Sequence, residues 1–253
     1  MNILVSVVTH RQGSLVYGLL KNIEEKCNHK RIMVILTMNV AEELPFAESN
    51  FSYPLYLIRN NRIKGFAANH NHAFTLKNSE YFCVLNPDIR LIDDPFDRLI
   101  DCLRDPLAGI VAPLVYNSAT EIEDNARQLP TPGILFHRLL NRSLEYEAKG
   151  ILEVDWAAGM FLFFKADAFK ALKGFNEKYF LYCEDIEICS RTWLSGKKVL
   201  WANNIRVIHE AQRESRKNLI YLLLHVSSYA KLFTSDVYYK RLRQKSRSQK
   251  NFT

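Results

Sequence analysis

The sequence predicts an α/β protein whose central, mostly parallel sheet is flanked by helices. Over the first ninety residues, short β-branched apolar runs alternate with stretches of helical spacing, which is the pattern of βαβ units. The chain has 253 residues, 48% of them hydrophobic, so it can bury a full core. Only 9 glycines and 8 prolines are present, too few for a linker-rich chain. We expect a single domain over residues 1–212 with a C-terminal helical extension over residues 213–253.

Four strands are predicted in the first part of the chain, with helices over residues 15–27 and 65–76 between them. The strands are Ile3 to Thr9, Ile32 to Thr37, Pro54 to Arg59 and Tyr81 to Asn86. In parallel sheets ligands bind beyond the carboxyl ends of the strands, so the residues after each strand are the first candidates for a site.

The second part of the chain is less regular. The patterns predict a helix over residues 94–103, a strand over 109–116, a polar irregular stretch over 117–155 and an apolar segment over 156–164. They further predict a short helix from Ala166, a helix from about Glu184 to Leu194, and two short strands, Lys198 to Trp201 and Arg206 to His209. After Arg213 we expect a helix with an apolar face and a basic end.

Composition excludes several classes of protein. The five cysteines include no C-x-x-C pair and several lie in apolar runs, so we expect buried free thiols in a reducing compartment and neither a disulfide framework nor a zinc site. The first residues lack the basic region and cleavage site of a signal peptide, and no apolar stretch is long enough to cross a bilayer. The net charge of +7 favours anionic partners without choosing among them.

Asn86-Pro87-Asp88 follows a buried strand. A carboxylate at this position can hold a hard divalent cation against a diphosphate, although Asn, Pro and Asp also form ordinary turns. His209 ends a later strand, and a lone histidine is more often structural than a ligand unless a second ligand shares its site.

A second segment, Gly65-Phe-Ala-Ala-Asn-His-Asn-His-Ala, opens a helix. A glycine there allows close approach to a ligand, but the single glycine rules out the G-x-G-x-x-G fingerprint of a dehydrogenase. The alternative is that Asn69, His70, Asn71 and His72 form a solvated helix face, since histidines two positions apart diverge on a helix.

The third and richest segment contains Glu184, Asp185 and Glu187 at a helix start, preceded by Tyr179, Phe180 and Tyr182. Acids in a first turn stabilise the helix dipole, and Glu187 can pair with Arg191. That explanation leaves out the crowding of aromatic rings before Glu184 and Asp185. A carboxylate beside such rings can act as a general base, because desolvation raises its pKa toward the working pH.

In this order, the segments resemble the inverting glycosyltransferases of family 2 with the GT-A fold, in particular the rhamnosyltransferase-like branch of bacterial polysaccharide and O-antigen assembly. The resemblance covers about four fifths of the chain. It is carried by Ile3-Leu-Val-Ser-Val-Val-Thr-His, Lys64-Gly-Phe-Ala-Ala-Asn-His-Asn-His, Val84-Leu-Asn-Pro-Asp, Gly159-Met-Phe-Leu-Phe-Phe, Gly174-Phe-Asn-Glu-Lys-Tyr-Phe-Leu-Tyr-Cys-Glu-Asp-Ile-Glu and Val207-Ile-His.

The resemblance implies a role for each matching residue. Asp185 would be the catalytic base, Asp88 and His209 would hold a divalent cation, Mg²⁺ or Mn²⁺, and Trp156, Gly159 and Glu184 would lie on the acceptor side. The nucleotide-sugar would contact residues of the first half of the chain: Thr9, His10, Asn39, Gly65, Asn69, Asn71, Asn86 and Asp88. The donor half would end near residue 116, and the acceptor half would follow to residue 212.

Two positions depart from the family pattern. The second strand ends in Leu36-Thr-Met-Asn39, where the family usually has an acidic turn that contacts the base, so the nucleotide base stays open. Glu187 stands where the family usually has a second Asp, which is a conservative change.

The implied activity is transfer of a sugar from a nucleotide-sugar, dTDP-rhamnose favoured and other dTDP-, UDP- or GDP-hexoses open, to a hydroxyl of a lipid-linked or growing polysaccharide acceptor. We expect a cytoplasmic protein, peripheral on the cytoplasmic face of the inner membrane. The basic C-terminal end and the apolar helix before it suggest contact with an anionic membrane; a solvated helix with a disordered tail is the equal alternative. A homodimer is left open.

Three other classes of protein are alternatives. A catalytically silent GT-A subunit that scaffolds an assembly complex is allowed by the changed base-contacting turn, but Asp88, Asp185 and His209 are all present. Nucleic-acid binding is expected to be absent, because no compact module signature occurs. A nucleotidyltransferase needs a phosphate loop of which Thr9-His-Arg-Gln-Gly is at best a fragment.

Overall fold

The computed structural model describes residues 2–117, 121–131, 133, 150–210 and 219–250. Within these ranges most strands belong to one nine-stranded sheet in the order β3-β2-β1-β4-β10-β6-β11-β5, with β8 also paired to β11. The strands are β1 Ile3–Thr9, β2 Ile32–Met38, β3 Leu55–Arg59, β4 Tyr81–Leu85, β5 Ile89–Leu91, β6 Ala108–Asn117, β7 Ala126–Arg127, β8 Ile151–Glu153, β9 Trp156–Ala157, β10 Phe161–Lys165 and β11 Lys198–His209. Strands β7 and β9 form a separate antiparallel pair.

The helices flank this sheet on both faces. They are α1 Gly13–Lys26, α2 Phe66–Leu76, α3 Phe96–Cys102, α4 Ala166–Ala171, α5 Glu184–Leu194, α6 Leu219–Phe233 and α7 Asp236–Lys250. None of the helices described is long and apolar enough to cross a membrane.

Alternation along β1 divides the core into two layers. Val5 and Val7 pack with α1 and α3 on one face of the sheet, whereas Leu4 packs with α2 and α5 on the other. Successive side chains of a strand point to opposite faces, so a strand buried on both sides reads as a continuous apolar run. The mixed α/β architecture expected from the sequence is thereby confirmed.

The parallel pairing of β1 with β2 and β4 brings the strand ends Thr9, Met38 and Leu85 to the same edge. Strand β10 runs antiparallel between β4 and β6, which makes the sheet mixed. The βαβ pattern does not reveal this strand's direction, because an apolar run looks alike in either orientation.

One expectation for the second part of the chain is wrong. The segments Lys198 to Trp201 and Arg206 to His209 form one strand, whose pairing with β6 shifts register between Ala202 and Arg206. The basic C-terminal end is helix α7, packed against α5. The five cysteines are buried and free, as expected. The expected boundary between residues 212 and 213 lies outside the described residues. So do three of the basic residues near the C-terminal end, Arg213, Arg216 and Lys217.

Candidate active site

Asp88 and His209 meet at the carboxyl end of the sheet. Strand β11 pairs antiparallel with β5, so its last residue lies beside the turn after β4. The Asp88 Oδ2 atom lies 3.0 Å from Nε2 of His209, and the other ring nitrogen, Nδ1, lies 2.8 Å from Oε2 of Glu123. Burial lowers the pKa of His209, but the hydrogen bonds to Asp88 and Glu123 outweigh burial and raise that pKa to about 9.

The carboxylate of this pair fits a hard divalent cation, whereas both ring nitrogens of His209 are engaged with carboxylates and would have to give up a proton to bind one. The Oδ1 atom of Asp88 is buried and has no hydrogen-bond partner among the described residues, which is the position expected for a ligand oxygen that faces an ion. No cluster of three or more metal-ligating side chains is found across the described ranges, so phosphate or water oxygens would have to complete the coordination shell. Carboxylates combined with substrate phosphates are the usual way in which Mg²⁺ is held.

On the other side of the turn, Asn86 faces a second cleft. This cleft, of about 260 Å³, is where the structure brings together Trp156, Gly159, Glu184 and Asp185. Asp88 itself borders a different, smaller cleft beside α1. The Asn86-Pro87-Asp88 turn therefore connects the Asp88–His209 pair to the cleft that contains Asp185, the candidate base.

Asn39 and Asn69 belong to a network of side-chain amides. Oδ1 of Asn39 accepts hydrogen bonds from Nδ2 of Asn60 at 3.0 Å and from the backbone N–H of Lys64 at 2.9 Å. Nδ2 of Asn60 also donates to Oδ1 of Asn69 at 2.7 Å. His10 lies at the margin of the network, with its Nδ1 3.5 Å from Nδ2 of Asn39. These bonds fix the loop over residues 60–65. The nucleotide contacts expected of His10, Asn39 and Asn69 stay predictions.

Thr9 is bonded to an acid that the sequence reasoning did not single out. Its Oγ1 donates to Oε1 of Glu42 at 2.7 Å, and the two Glu42 carboxylate oxygens also accept the backbone N–H groups of Arg11 and Gly13. Glu42 thus holds the turn between β1 and α1 in place.

Gly65 and Asn71 connect α2 to the loop that precedes the candidate base. A Cβ atom at Gly65 would lie 2.4 Å from the carbonyl oxygen of Phe180, and that oxygen accepts the Phe66 N–H at 2.9 Å. The Asn71 side chain bonds the backbone of Phe175 through both its amide oxygen and its amide nitrogen. Close packing explains why residue 65 is glycine, and a donor contact for either residue stays a prediction.

The four polar residues at the start of α2 differ in burial. Asn69 and His70 are buried, so the alternative that all four polar residues form a solvated helix face is wrong for these two. His70 hydrogen-bonds Oγ of Ser6 at 2.8 Å, and burial lowers its pKa to about 3.

Glu184 and Asp185 begin α5 at the floor of the 260 Å³ cleft. Asp185 accepts the backbone N–H of Gly159 at 3.0 Å and that of Ile186 at 2.8 Å, which fixes its carboxylate. Burial raises the pKa of Asp185, while these two N–H bonds and Arg127 oppose the rise. Glu184 is more deeply buried, its Oε2 has no partner, and burial together with the Asp185 charge raises its pKa well above 4.5. Of the two acids, Asp185 is the better general base.

The backbone before these acids is strained. Tyr182 and Cys183 both have left-handed conformations, with φ of 72° and 66°. Non-glycine residues with positive φ are uncommon, and they collect at functional sites where the surroundings hold them. Ring contacts could hold Tyr182 in place, since it stacks on His225 of α6 with centroids 3.4 Å apart.

Trp156 and Arg127 line the same cleft as this stack. The Arg127 guanidinium lies 5.0 Å from the centre of the Trp156 ring, and Nε1 of Trp156 donates to the carbonyl of Gln128. The expected pairing of Glu187 with Arg191 is confirmed at 2.8 Å and lies behind the site.

Sequence reasoning missed Glu123, Arg127 and His225. Glu123 and Arg127 lie in the stretch expected to be irregular, and His225 lies on a helix beyond the segments of the resemblance. A lone residue in such places carries no pattern, so only the fold could bring these three to the site.

Similarity to known proteins agrees with this geometry, although no family model matches the chain. The chain is 24% identical over 229 residues to the rhamnosyltransferase WbbL of Escherichia coli K12, covering 84% of each protein. It is 26% identical over 168 residues to an N-acetylglucosaminyl-diphospho-decaprenol L-rhamnosyltransferase of Mycobacterium tuberculosis, and this match covers 59% of the chain and about half (53%) of that protein.

Solved structures of glycosyltransferases share the fold. GalNAc-T7 with UDP, GalNAc and Mn²⁺ superposes with a TM-score of 0.66 at 15% identity, over 84% of the chain and 44% of that structure. The mannosyltransferase PcManGT of Pyrobaculum calidifontis with GDP-Man and Mn²⁺ gives 0.61 at 16% identity, over 97% and 75%. The chain is similar to rhamnosyltransferases of family 2, and its fold is the GT-A fold of glycosyltransferases. The rhamnosyltransferase relatives and the glycosyltransferase structures together support sugar transfer in polysaccharide synthesis as its activity.

Proposed function

We propose that this glycosyltransferase moves a rhamnosyl group from dTDP-rhamnose to a hydroxyl of a lipid-linked saccharide during assembly of a cell-surface polysaccharide. The observation that carries the proposal is the Asn86-Pro87-Asp88 turn, which connects the Asp88–His209 pair to the cleft of Asp185. A donor diphosphate at the first site would bring its sugar to the second. Both curated relatives described above are rhamnosyltransferases, which favours rhamnose over other hexoses.

In the proposed reaction Asp185 removes the proton of the acceptor hydroxyl as its oxygen attacks the anomeric carbon, which inverts that centre. The N–H groups of Gly159 and Ile186 orient the carboxylate of Asp185 toward the cleft. Asp88 and His209 would hold Mg²⁺ or Mn²⁺, which would neutralise the charge that develops on the departing diphosphate. Both structural neighbours described above contain Mn²⁺.

The acceptor side agrees with a lipid carrier. The mycobacterial relative is named for a decaprenyl diphosphate acceptor. Helix α6 exposes a cluster of large apolar side chains, each more than half accessible to solvent: Leu219, Ile220, Leu222, Leu223 and Val226. Such a patch on a helix is typical of a surface that meets lipid. We therefore place the protein at the cytoplasmic face of the membrane.

The basic C-terminal residues contribute less to this surface than their number suggests. Arg241 and Lys245 pair with Asp155, and Arg241 is buried. Lys240, Arg243 and Arg247 are exposed on α7 and are free to meet anionic headgroups.

A thermal-shift panel of dTDP-rhamnose, UDP-glucose and GDP-mannose, each with and without Mn²⁺, tests the donor. We expect dTDP-rhamnose with Mn²⁺ to raise the melting temperature most, because a ligand that binds only the folded state stabilises it. Asp88→Asn should abolish the Mn²⁺-dependent part of the shift, while Asp93→Asn, on the exposed surface, should preserve it. An equal shift for the Asp88 variant would refute the cation site.

Flotation with anionic vesicles tests the membrane surface. A Leu222→Ser, Leu223→Ser double variant should float less than the unchanged protein. The matched control, Ile63→Ser with Leu107→Ser, removes two exposed apolar side chains elsewhere and should float normally. Equal flotation of both double variants would remove α6 from the membrane surface.

A further inference from the structure

Helix α6 is fixed to the loop that leads into the candidate base. Oγ of Ser228 donates to the carbonyl of Leu181 at 2.7 Å, and Nζ of Lys231 donates to the carbonyl of Lys178 at 3.1 Å. These two bonds lie one turn of helix apart and set the position of α6 beside Glu184 and Asp185. A helix C-terminal to the segments of the family resemblance therefore forms part of the active-site wall.

The inward face of α6 presents aromatic rings to the cleft. The rings of Tyr182 and His225 stack with centroids 3.4 Å apart and planes 16° from parallel, and Tyr229 continues the column 6.2 Å from His225. All three side chains are partly exposed, and all line the cleft that contains Asp185. The column therefore forms a wall that a bound molecule can contact.

Tyr182 reaches this stack through a costly backbone conformation. Its φ of 72° is followed by 66° at Cys183, so two non-glycine residues in succession are left-handed directly before the acids. The Tyr182 ring is partly buried, packs against the core cluster that contains Tyr179 and Ile186, and also lines the cleft of Asp185.

We propose that Tyr182 and His225 form the platform on which the acceptor sugar lies while its hydroxyl faces Asp185. This inference rests on the proposed function and names the side chains that recognise its acceptor. Trp156 and Arg127 line the same cleft and would also border the sugar.

The chemistry of the two rings suits a saccharide. Tyr182 and His225 cover one face of each other, so the C–H groups of a sugar would pack on the parts of the rings that stay exposed to the cleft, while its hydroxyl groups need hydrogen-bond partners when they are buried. Burial and the nearby Arg127 charge lower the pKa of His225, so its imidazole is neutral at pH 7. A neutral imidazole has one donor and one acceptor nitrogen, and can bond a hydroxyl either way.

The two faces of α6 then serve one substrate. His225 and Tyr229 face the cleft, and Leu222, Leu223 and Val226 face outward as part of the exposed apolar cluster. The sugar of a lipid-linked acceptor would meet the first face while its carrier stays in the membrane that meets the second.

The test is steady-state transfer from dTDP-rhamnose to an N-acetylglucosaminyl diphosphate that carries a short prenyl chain. We expect His225→Ala to raise the KM for this acceptor about tenfold, the loss of one ring contact and one hydrogen bond. The KM for dTDP-rhamnose should stay within twofold of the unchanged enzyme, because the expected donor site lies at the separate edge near Asp88. Ser227→Ala, on the exposed side of the same helix, is the control and should change neither KM.

His225→Phe separates the ring contact from hydrogen bonding. It keeps an aromatic ring in the stack and so preserves packing, and we expect an acceptor KM between those of the unchanged enzyme and His225→Ala. Acceptor KM values within twofold of the unchanged enzyme for both variants would overturn the platform. Failure of the unchanged enzyme to hydrolyse or transfer from any nucleotide-sugar would instead overturn the proposed function.

Discussion

The expected donor edge and the expected acceptor cleft of this glycosyltransferase are built in different ways. At the donor edge Asn60 bonds both Asn39 and Asn69, and Glu42 bonds Thr9, while the buried Oδ1 of Asp88 is left without a partner among the described residues. In the acceptor cleft the buried Oε2 of Glu184 has no partner and the backbone before it is left-handed. A satisfied network stays in place by itself, whereas a strained one needs support from its surroundings.

The support comes from the C-terminal helices. Arg241 and Lys245 of α7 pair with Asp155, next to Trp156, and Tyr238 donates to the carbonyl of Pro130. Ser228 of α6 bonds Leu181. The expected donor edge therefore follows from the sheet and its first helices, while the expected acceptor cleft depends on the last two helices of the described chain.

The largest effect that would test this division is at Asp185. Asp185→Asn keeps the shape of the side chain but removes the base, so transfer should slow by about 10²- to 10⁴-fold. Donor binding should persist, because its expected site is the separate edge at Asp88. Calorimetric titration with dTDP-rhamnose and Mn²⁺, beside a transfer assay, measures both quantities. Normal turnover of the variant would refute the role of Asp185.

Glu184→Gln is the matched control for that variant. Because the pKa of Glu184 is raised well above 4.5, its carboxyl group favours the protonated form, which glutamine resembles. We expect less than a tenfold loss in transfer. A loss as large as that of Asp185→Asn would show that the two acids exchange roles.

The next effect concerns the support given by α7. Asp155→Asn leaves Arg241 buried without its carboxylate, which costs about 3–5 kcal/mol in comparable buried pairs. We expect the free energy of unfolding to fall by about 3 kcal/mol, since Arg241 keeps its contacts with Gln244 and the Trp193 ring. Urea unfolding measures it, and Asp101→Asn, which removes an exposed pair with Arg104, should change stability little. If the comparison is right, acceptor KM rises in the Asp155 variant while donor affinity is kept.

The two regions also differ in how much of their structure could be predicted from the sequence. The strands β1 to β4 could be predicted closely because strands buried on both faces leave continuous apolar runs, and helix α5 because acids fill its first turn and Gly196 follows its end. Arg127, Glu123 and His225 could not, since each is a single polar residue brought to the site by distant pairing. The antiparallel direction of β10 is likewise a product of long-range contacts and leaves no local mark.

A smaller effect is expected where the two regions touch. Gly65→Ala would place a Cβ atom 2.4 Å from the Phe180 carbonyl, and the loop over residues 174–183 would have to move. Overpacking of this kind costs about 1–3 kcal/mol. Gly18→Ala is the control, because nothing lies within 4 Å of its added Cβ and the substitution favours helix α1 by about 0.5–1 kcal/mol. Thermal unfolding should therefore shift in opposite directions for the two variants, and a shift in the same direction would remove the close contact at Gly65 from the account.

The smallest effect separates the electrostatics of the cleft from its shape. Arg127 favours the ionised form of Asp185, so Arg127→Gln should raise the pKa of that carboxyl further. A base works only when deprotonated, so the acid limb of kcat/KM against pH should move to higher pH, with little change on the alkaline side of the limb. Because Arg127 is partly exposed, we expect a shift of less than about one pH unit.

Salt provides the control for that shift. At about 1 M salt the screening length falls to about 3 Å, so the limbs of the variant and the unchanged enzyme should move closer together. A shift that persists at high salt would mean that Arg127 acts by packing on Trp156, which lies under its guanidinium, and not by its charge. Arg98→Gln, which alters a pair with Asp93 outside the cleft, should leave the limb in place at either salt concentration. Movement of the limb in that variant as well would assign the effect to the net charge of the protein, and not to a local interaction between Arg127 and Asp185.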